Sequence, residues 1–494
     1  LLIFAKRKPV NMADSALKKK TISSLLWSFL DKFGQQLLNF VSMLVLMNIV
    51  STEDYGLIGS LSVFMAFIPI LIDSGFGRAL INRKDVGEEE YSSVFYFNVG
   101  LSVLLYAVLF FAAPAIASLF NAPLLSAVSR VLFLGIVFNA FRTVQYTRLT
   151  KKADFKGLTK TNMWALLVAN IVAITMALLH YGVWALVVQQ MLYAFLRTVF
   201  LWIYSPWRPS RSFEKKALQS LFGFSNKLLL TSIIQSVVNN IYPSLIAVFY
   251  PMNQVAFFDR AKKYQEIPFT MLSDTFRSVS VLILSEINDQ TERLKRVVSK
   301  MMKSIAFLSF PIGFVMIVVA EPTFFLFFRE KWLASVPYFQ VLTLGGMFFP
   351  FTFIFNELFI ARERSDFFLG LEVVKGVVLL MLIGLFFREG IMGLAASWVV
   401  YVLIILVISS VMAKKAVSYT PGRFVCDILP YMLVAFVCAA ASYWITRPVE
   451  NNLLYILANA VLTGFAYLFI CRLLKLEMSE EIKHWFDSKK KRSA

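Results

Sequence analysis

The sequence predicts an all-α polytopic membrane protein with about 14 transmembrane helices, and three observations predict it. Hydrophobic residues make up 58% of the 494-residue chain and charged residues only 16%, where ordinary soluble domains carry about 25% charged residues. Apolar runs of roughly 20 residues recur along the whole length, each long enough to cross about 30 Å of hydrocarbon. The connections between these runs alternate in charge.

The predicted spans cover residues 21–50, 56–80, 91–113, 124–147, 161–180, 183–204, 221–250, 253–284, 298–320, 337–360, 367–387, 391–413, 424–446 and 452–474. The odd-numbered connections, such as "STEDY", "SLFNAP", "HYG", "REKWLAS" and "TRPVENN", hold four Lys/Arg in all. The even-numbered connections and both ends are basic, from "KKK" before span 1 through "RLTKKADFK" (148–156), "RPSRSFEKK" (208–216) and "ERLKR" (292–296) to "KKKR" at the end. The positive-inside rule therefore places both termini in the cytoplasm. The net charge of +19 reads as an orientation signal and an attraction to anionic headgroups, not as a nucleic-acid footprint.

Several function classes find no support. No connection is long enough to fold into a catalytic domain, so the chain does not read as an enzyme. A Walker-type phosphate loop "GxxxxGK[ST]" is absent from the sequence, which disfavours ATP-driven transport. Cys426, Cys438 and Cys471 lack metal-ligand spacing, and His180 and His484 sit in no catalytic constellation. No cofactor is expected. The apolar start "LLIFA" is too short for a signal-peptide core, and Met12 in "MADSALKKK" reads as a natural start behind an extension, residues 1–11.

The halves echo each other at an offset of about 200–213 residues. "IPILIDSGFGR" (68–78) and "IPFTMLSDTFR" (267–277) each place a proline nine residues before an arginine. "APAIASLF" (113–120) matches "EPTFFLFF" (321–328), "TKKADFKGL" (150–158) matches "RERSDFFLGL" (362–371), and "HYGVWAL" (180–186) matches "REGIMGL" (388–394). Four pairs in one order predict a duplication: a six-helix lobe over 21–210, a pseudo-symmetric second over 211–413, and two extra C-terminal helices over 414–474. A cytoplasmic segment, 1–20, and a basic tail, 475–494, flank them. Parallel repeats of this kind mark transporters, with the substrate site between lobes.

Span 8 breaks the apolar rule. Residues 255–284 carry seven charges: Asp259, Arg260, Lys262, Lys263, Glu266, Asp274 and Arg277. At 100° per residue these share one helix face. A charge at the bilayer centre costs about 2.5–3.5 kcal/mol even on lenient scales, so the face is expected to line an internal, wetted space. Span 1 has a polar stripe through Asp31, Lys32, Gln35, Gln36, Asn39 and Ser42, and span 7 has one through Lys227, Thr231, Gln235 and Asn239. Together, Lys32, Arg78, Lys227, Arg260, Lys263 and Arg277 suggest an anionic cargo, because arginine grips phosphate bidentately and lysine supplies a point charge. Asp31, Asp259 and Glu266 are candidate cavity or coupling acids. A structural reading stands beside this one. Asp259–Lys263, Lys263–Glu266 and Asp274–Arg277 have the spacing of self-neutralising helix pairs, Arg78 and Arg277 suit cytoplasmic anchoring, and Glu372–Lys375 and Glu357 suit inter-helix pairs or a cavity rim.

"SLLWSFLDKFGQQLLNFVSMLVLMNIVSTEDYGLIG" (24–59), "FFDRA" (257–261) and the duplicated fourteen-span plan resemble the multidrug/oligosaccharidyl-lipid/polysaccharide exporter superfamily. Within it the chain resembles Wzx-type polysaccharide flippases, particularly the colanic-acid and teichuronic-acid exporters. The resemblance implies two six-helix lobes in a V-shape within the bacterial inner (cytoplasmic) membrane. It also implies a cargo of undecaprenyl-pyrophosphate-linked oligosaccharide, for capsule, O-antigen or exopolysaccharide synthesis. Arg260 in "DRA" is similar in place to a pyrophosphate-holding arginine of related lipid II flippases, with Arg78 and Lys32 in comparable helices. Coupling to an H+ or Na+ gradient or to membrane potential, and a polysaccharide polymerase as partner, are family-level implications. The alternatives are a lipid II flippase and a multidrug antiporter for organic cations, the latter calling for an acidic cavity rather than a basic one.

Overall fold

A computed structural model describes residues 12–481 and 483, apart from 74–75, 83–85, 153, 212, 288–289 and 363–364. Every regular element among the described residues is helical: α1 (Met12–Ile49), α2 (Thr52–Ser60), α3 (Ser62–Asp73), α4 (Phe76–Asn82), α5 (Glu88–Leu119), α6 (Leu124–Lys151), α7 (Phe155–Leu178), α8 (Val183–Tyr204), α9 (Lys215–Phe249), α10 (Met252–Glu286), α11 (Thr291–Val318), α12 (Ala320–Phe328), α13 (Val336–Gly346), α14 (Phe349–Ala361), α15 (Ser365–Phe386), α16 (Gly390–Val417), α17 (Pro421–Thr446) and α18 (Asn452–Leu473). Eleven segments among the described residues are long and apolar enough to cross a membrane. One of them, Gly370–Val417, takes in most of α15 and all of α16. Helices α1 and α10, 38 and 35 residues long, fall outside that group because their amides and charges lower their hydropathy.

The chain is a multi-pass membrane protein, and its surface agrees. Phe111 is 80% exposed, Phe465 72% and Phe469 68%. In water rings so exposed would be unusual; in a bilayer they meet acyl chains. The short connections start helices with side-chain caps. Ser51 Oγ accepts from Asp54 N–H, Thr420 Oγ1 from Arg423 N–H and Asn451 Oδ1 from Leu454 N–H, each satisfying one orphan donor of a first turn.

Two compact units appear, Lys8–Ala256 and Phe257–Ala494. In the first, α1 packs along α7, α7 along α8, α5 along α6, and α9 along α2 and α3. The predicted second span is interrupted at Leu61, between α2 and α3. At that break, Ser244 Oγ of α9 donates to the Ser60 carbonyl (2.7 Å) and accepts from Val63 N–H (3.3 Å). One hydroxyl thus splices a gap in another helix. Gly56 of α2 lies against the Met252 carbonyl, so close that any side chain there would collide with backbone. At one end of this unit, Arg148 forks onto Glu88 (2.6 and 2.8 Å), lies over the Tyr91 ring, and shares Glu88 with Trp207 Nε1 (2.6 Å).

In the second unit, α11 packs against α17 and α13 against α16. The predicted tenth span is broken between α13 and α14, where Gly345 and Gly346 end one helix and Pro350 opens the next. Proline lacks the N–H that a continuous helix needs. Ser309 Oγ donates to the Met347 carbonyl inside the gap (2.7 Å). Asp427, 6% exposed, accepts from Ser299 Oγ (2.6 Å) and Tyr419 Oη (2.7 Å) and faces Lys303 Nζ (3.4 Å). Lys303 and Lys300 also bind Glu477 and Glu481, which fastens the segment after α18 onto α11.

Candidate functional site

Helix α10 runs unbroken through Pro268. Its apolar side is fixed by aromatic contacts: Phe257 against Trp332, Phe258 against Tyr338, and Tyr264 stacked on Phe328 at 5.1 Å. Farther along, Gly346 lies directly beneath Gln265 Oε1 and the Phe269 ring. These contacts set the rotation of α10 and therefore the direction of its charges.

The charges form two groups in the first half of the helix. Asp259 is 1% exposed and its Oδ2 accepts from both Arg260 Nη2 (2.7 Å) and Lys263 Nζ (2.9 Å). One carboxylate thus holds two cations of the same helix. A buried carboxylate without these partners would face a desolvation penalty of several kcal/mol. Next to the trio, Lys262 Nζ lies 3.8 Å from Glu266 Oε1. The sequence spacing suggested Lys263–Glu266; in the structure Glu266 takes Lys262, one full turn back, and Lys263 takes Asp259.

Arg260, which has no acid four residues on, uses the residue immediately before it instead. Its side chain is 13% exposed, whereas that of Lys263 is 45% exposed. The arrangement is a seated guanidinium beside a reachable ammonium, and it offers an oxyanion hydrogen-bond donors on a positive background.

Other candidates fall elsewhere. Arg277 does not close on Asp274. Its Nε donates to Glu357 Oε1 of α14 at 2.8 Å, and Glu357 is 5% exposed. Glu372 and Lys375 pair within α15 at 2.6 Å. The polar stripe of α1 is largely taken up by helix packing: Asp31 accepts from Asn162 Nδ2 of α7 at both oxygens (3.2 Å), Gln35 from Tyr193 Oη of α8 (3.1 Å), and Ser42 from Gln189 Nε2 (3.0 Å). Lys32, next to Asp31, is exposed. The side chains of Arg78 and Lys227, and the whole of His484, lie outside the described residues.

Sequence reasoning passed over Gln265, which is wholly buried with both amide atoms lacking a partner among the described residues. It also passed over Arg142 and Arg197, which line a 400 Å³ cavity with Asn139, Thr143 and Tyr146. The signal was present. Asn139, Arg142, Thr143 and Tyr146 recur at i, i+3, i+4 and i+7, which sets them on one helix face.

Residues 45–337 match the family model described as "Polysaccharide biosynthesis protein". The chain belongs to that family. This polysaccharide biosynthesis protein is 24% identical over 488 residues to a Klebsiella pneumoniae chain named "Uncharacterized membrane protein in cps region", covering 93% of this chain and all of that one. It is also 24% identical over 374 residues to the Bacillus subtilis teichuronic acid biosynthesis protein TuaB, covering 75% and 77% of the two chains. Among solved structures it is similar to the lipid II flippase MurJ in its inward closed conformation, with a TM-score of 0.74 at 15% identity over 91% of this chain and 99% of that one. At that identity the likeness concerns the fold. The family bears out the resemblance read from residues 24–59 and from "FFDRA".

Proposed function

We propose that this protein is a flippase that moves undecaprenyl-pyrophosphate-linked oligosaccharide repeat units from the cytoplasmic to the outer leaflet, supplying capsule, O-antigen or exopolysaccharide synthesis. The observation that carries the reading is the match of residues 45–337 to a polysaccharide biosynthesis family in a chain whose fold is similar to that of a lipid flippase. The Asp259–Arg260–Lys263 trio supports the chemistry, because it sets a guanidinium beside a reachable ammonium, donors that suit a pyrophosphate. The isoprenoid tail stays in lipid while the polar head crosses by alternating access. The protein is a transporter rather than an enzyme, needs no cofactor, and draws on an H+ or Na+ gradient or the membrane potential.

Counting α1 and α10 and separating α15 from α16 gives fourteen crossings, with both termini cytoplasmic in a bacterial inner membrane. A polysaccharide polymerase that receives the unit on the outer side fits this role. The fold likeness to MurJ also favours a second reading, a lipid II cargo with the same mechanism and a different sugar.

The test is leaflet transfer of a fluorescent undecaprenyl-pyrophosphate oligosaccharide in proteoliposomes, with Arg260→Gln as the comparison. Transfer by the parent protein and loss in the folded variant are expected. Absence of transfer across several glycan heads would overturn the reading, and rescue of wall synthesis instead of capsule or exopolysaccharide would move the cargo to lipid II.

A further inference from the structure

The second unit contains a cavity of about 680 Å³ that the flippase reading does not use. Its walls come from the junction of α11 with α12, from α13, and from the turn between α17 and α18. Span ends meet here: α11 stops at Val318, α17 stops at Thr446 and α18 begins at Asn452. The cavity therefore sits at the level where hydrocarbon gives way to water, whichever way the chain is threaded. Aromatic rings belong at that level, and Tyr443 and Tyr455 line it while Trp444, 66% exposed, stands beside Tyr443.

Two opposite charges face this space without closing on each other. Glu321 and Arg447 both line it, and neither forms an ion pair among the described residues. The Arg447 guanidinium lies over the Trp444 ring at 5.6 Å, which holds it in place while leaving its edge donors for an acceptor. Gln340 donates an Nε2–H to the Ile317 carbonyl at 3.1 Å, which fixes its amide in the cavity wall. A carboxylate and a guanidinium lining one cavity complement a ligand that carries a cation and an anion a few bonds apart. Apart from Asn452, the remaining walls, among them Ile317, Val318 and Phe325, are apolar, and Phe325 is 43% exposed.

We propose that this cavity binds the headgroup of a zwitterionic aminophospholipid, with Arg447 on the phosphate, Glu321 on the ammonium, and the acyl chains descending past Phe325. A lipid seated there ties α17 and α18 to α11–α13. A pyrophosphate is a poorer fit, because it would set several negative charges against Glu321. An anionic phospholipid such as phosphatidylglycerol supplies the phosphate but leaves Glu321 with no cation. The preference between the two phospholipids therefore reads out the role of Glu321.

The experiment places the purified full-length protein in mixed micelles holding equal amounts of palmitoyl-oleoyl phosphatidylethanolamine and phosphatidylglycerol, and counts retained lipids by native mass spectrometry. The parent protein is expected to retain the ethanolamine lipid about tenfold over the glycerol lipid. Glu321→Gln is expected to bring that ratio near one, Glu321→Lys to invert it, and Arg447→Gln to lower retention of both. Glu321 and Arg447 are exposed, so these variants are expected to elute as the parent does in size exclusion. A parent ratio near one, or a ratio that Glu321→Gln and Glu321→Lys leave unchanged, overturns the proposal. So does displacement of the ethanolamine lipid by undecaprenyl phosphate, which would assign the cavity to cargo lipid, or by maltotriose, which would make it a sugar site. None of these results depends on transport, so the flippase reading stands or falls separately.

Discussion

Arg277 of α10 donates its Nε–H to Glu357 of α14 at 2.8 Å, and the two ends of that bond lie in different surroundings: the arginine side chain is 49% exposed and the carboxylate 5%. The asymmetry predicts unequal consequences. Arg277→Gln strands a buried carboxylate and is expected to cost about 3 kcal/mol. Glu357→Gln leaves an arginine that solvent can reach and keeps an acceptor in place, at about 1 kcal/mol. Thermal unfolding in detergent measures both, and equal losses would contradict the asymmetry.

Asp259 offers a second test. Asp259→Asn removes the only charge that balances Arg260 and Lys263 within their trio, so the variant is expected to be less stable by about 3 kcal/mol. A pyrophosphate ion should then stabilise the variant more than the parent, because it replaces the missing negative charge. The check is the rise in midpoint temperature on adding pyrophosphate. An equal rise in both proteins would mean that the ion binds somewhere else.

Gln265 and Gly346 are predicted to be energetically coupled. A methyl group on Gly346 would run into Gln265 Oε1 and stand 2.8 Å from the Phe269 ring, so Gly346→Ala should cost about 1–3 kcal/mol through overpacking. Gln265→Ala is expected to relieve part of that loss in the double variant, as neighbours in contact do not add. Strict additivity in the four-protein cycle would show that the methyl group is accommodated another way.

Tyr419 predicts an alkaline limit. It lies in the turn between α16 and α17, wholly buried with its hydroxyl on Asp427. Burial first, and the Asp427 charge second, push its pKa well above the usual tyrosine range. A group whose folded pKa is raised contributes stability that is complete below its unfolded pKa, near 10, and lost as pH climbs beyond it. Unfolding midpoints should therefore fall above about pH 10, and Tyr419→Phe should flatten that fall. The same variant is expected to lose about 1 kcal/mol at neutral pH, since Asp427 keeps only Ser299 and Lys303.

The helical plan was legible because spans and basic connections alternate with little ambiguity, and α10 was identifiable as an oddity from the seven charges within residues 255–284. The internal partners were harder to read. Spacing rules look three or four residues along a helix, so they find Asp259–Lys263 but not Arg260 folding back onto its neighbour. Arg277–Glu357 joins residues 80 apart, and nothing local marks that pair. The stripe on α1 was visible, but a sequence does not say whether Gln35 and Ser42 face water or the amides of another helix; here they face Tyr193 and Gln189. The breaks in spans two and ten lay within largely apolar runs, although Pro350 stood just past the second.

The Ser244 splice has a mechanical side. A helix resists bending because each turn is bonded to the next by its own backbone, and those bonds have few substitutes in oil. Between Ser60 and Val63 part of that bonding runs through a hydroxyl rooted in α9. Stiffness at that point is thus borrowed from a neighbour, and sliding α9 by a fraction of a turn uncouples it. The second span behaves there less like a rod than like two rods with a detachable dowel, so its compliance depends on where α9 stands.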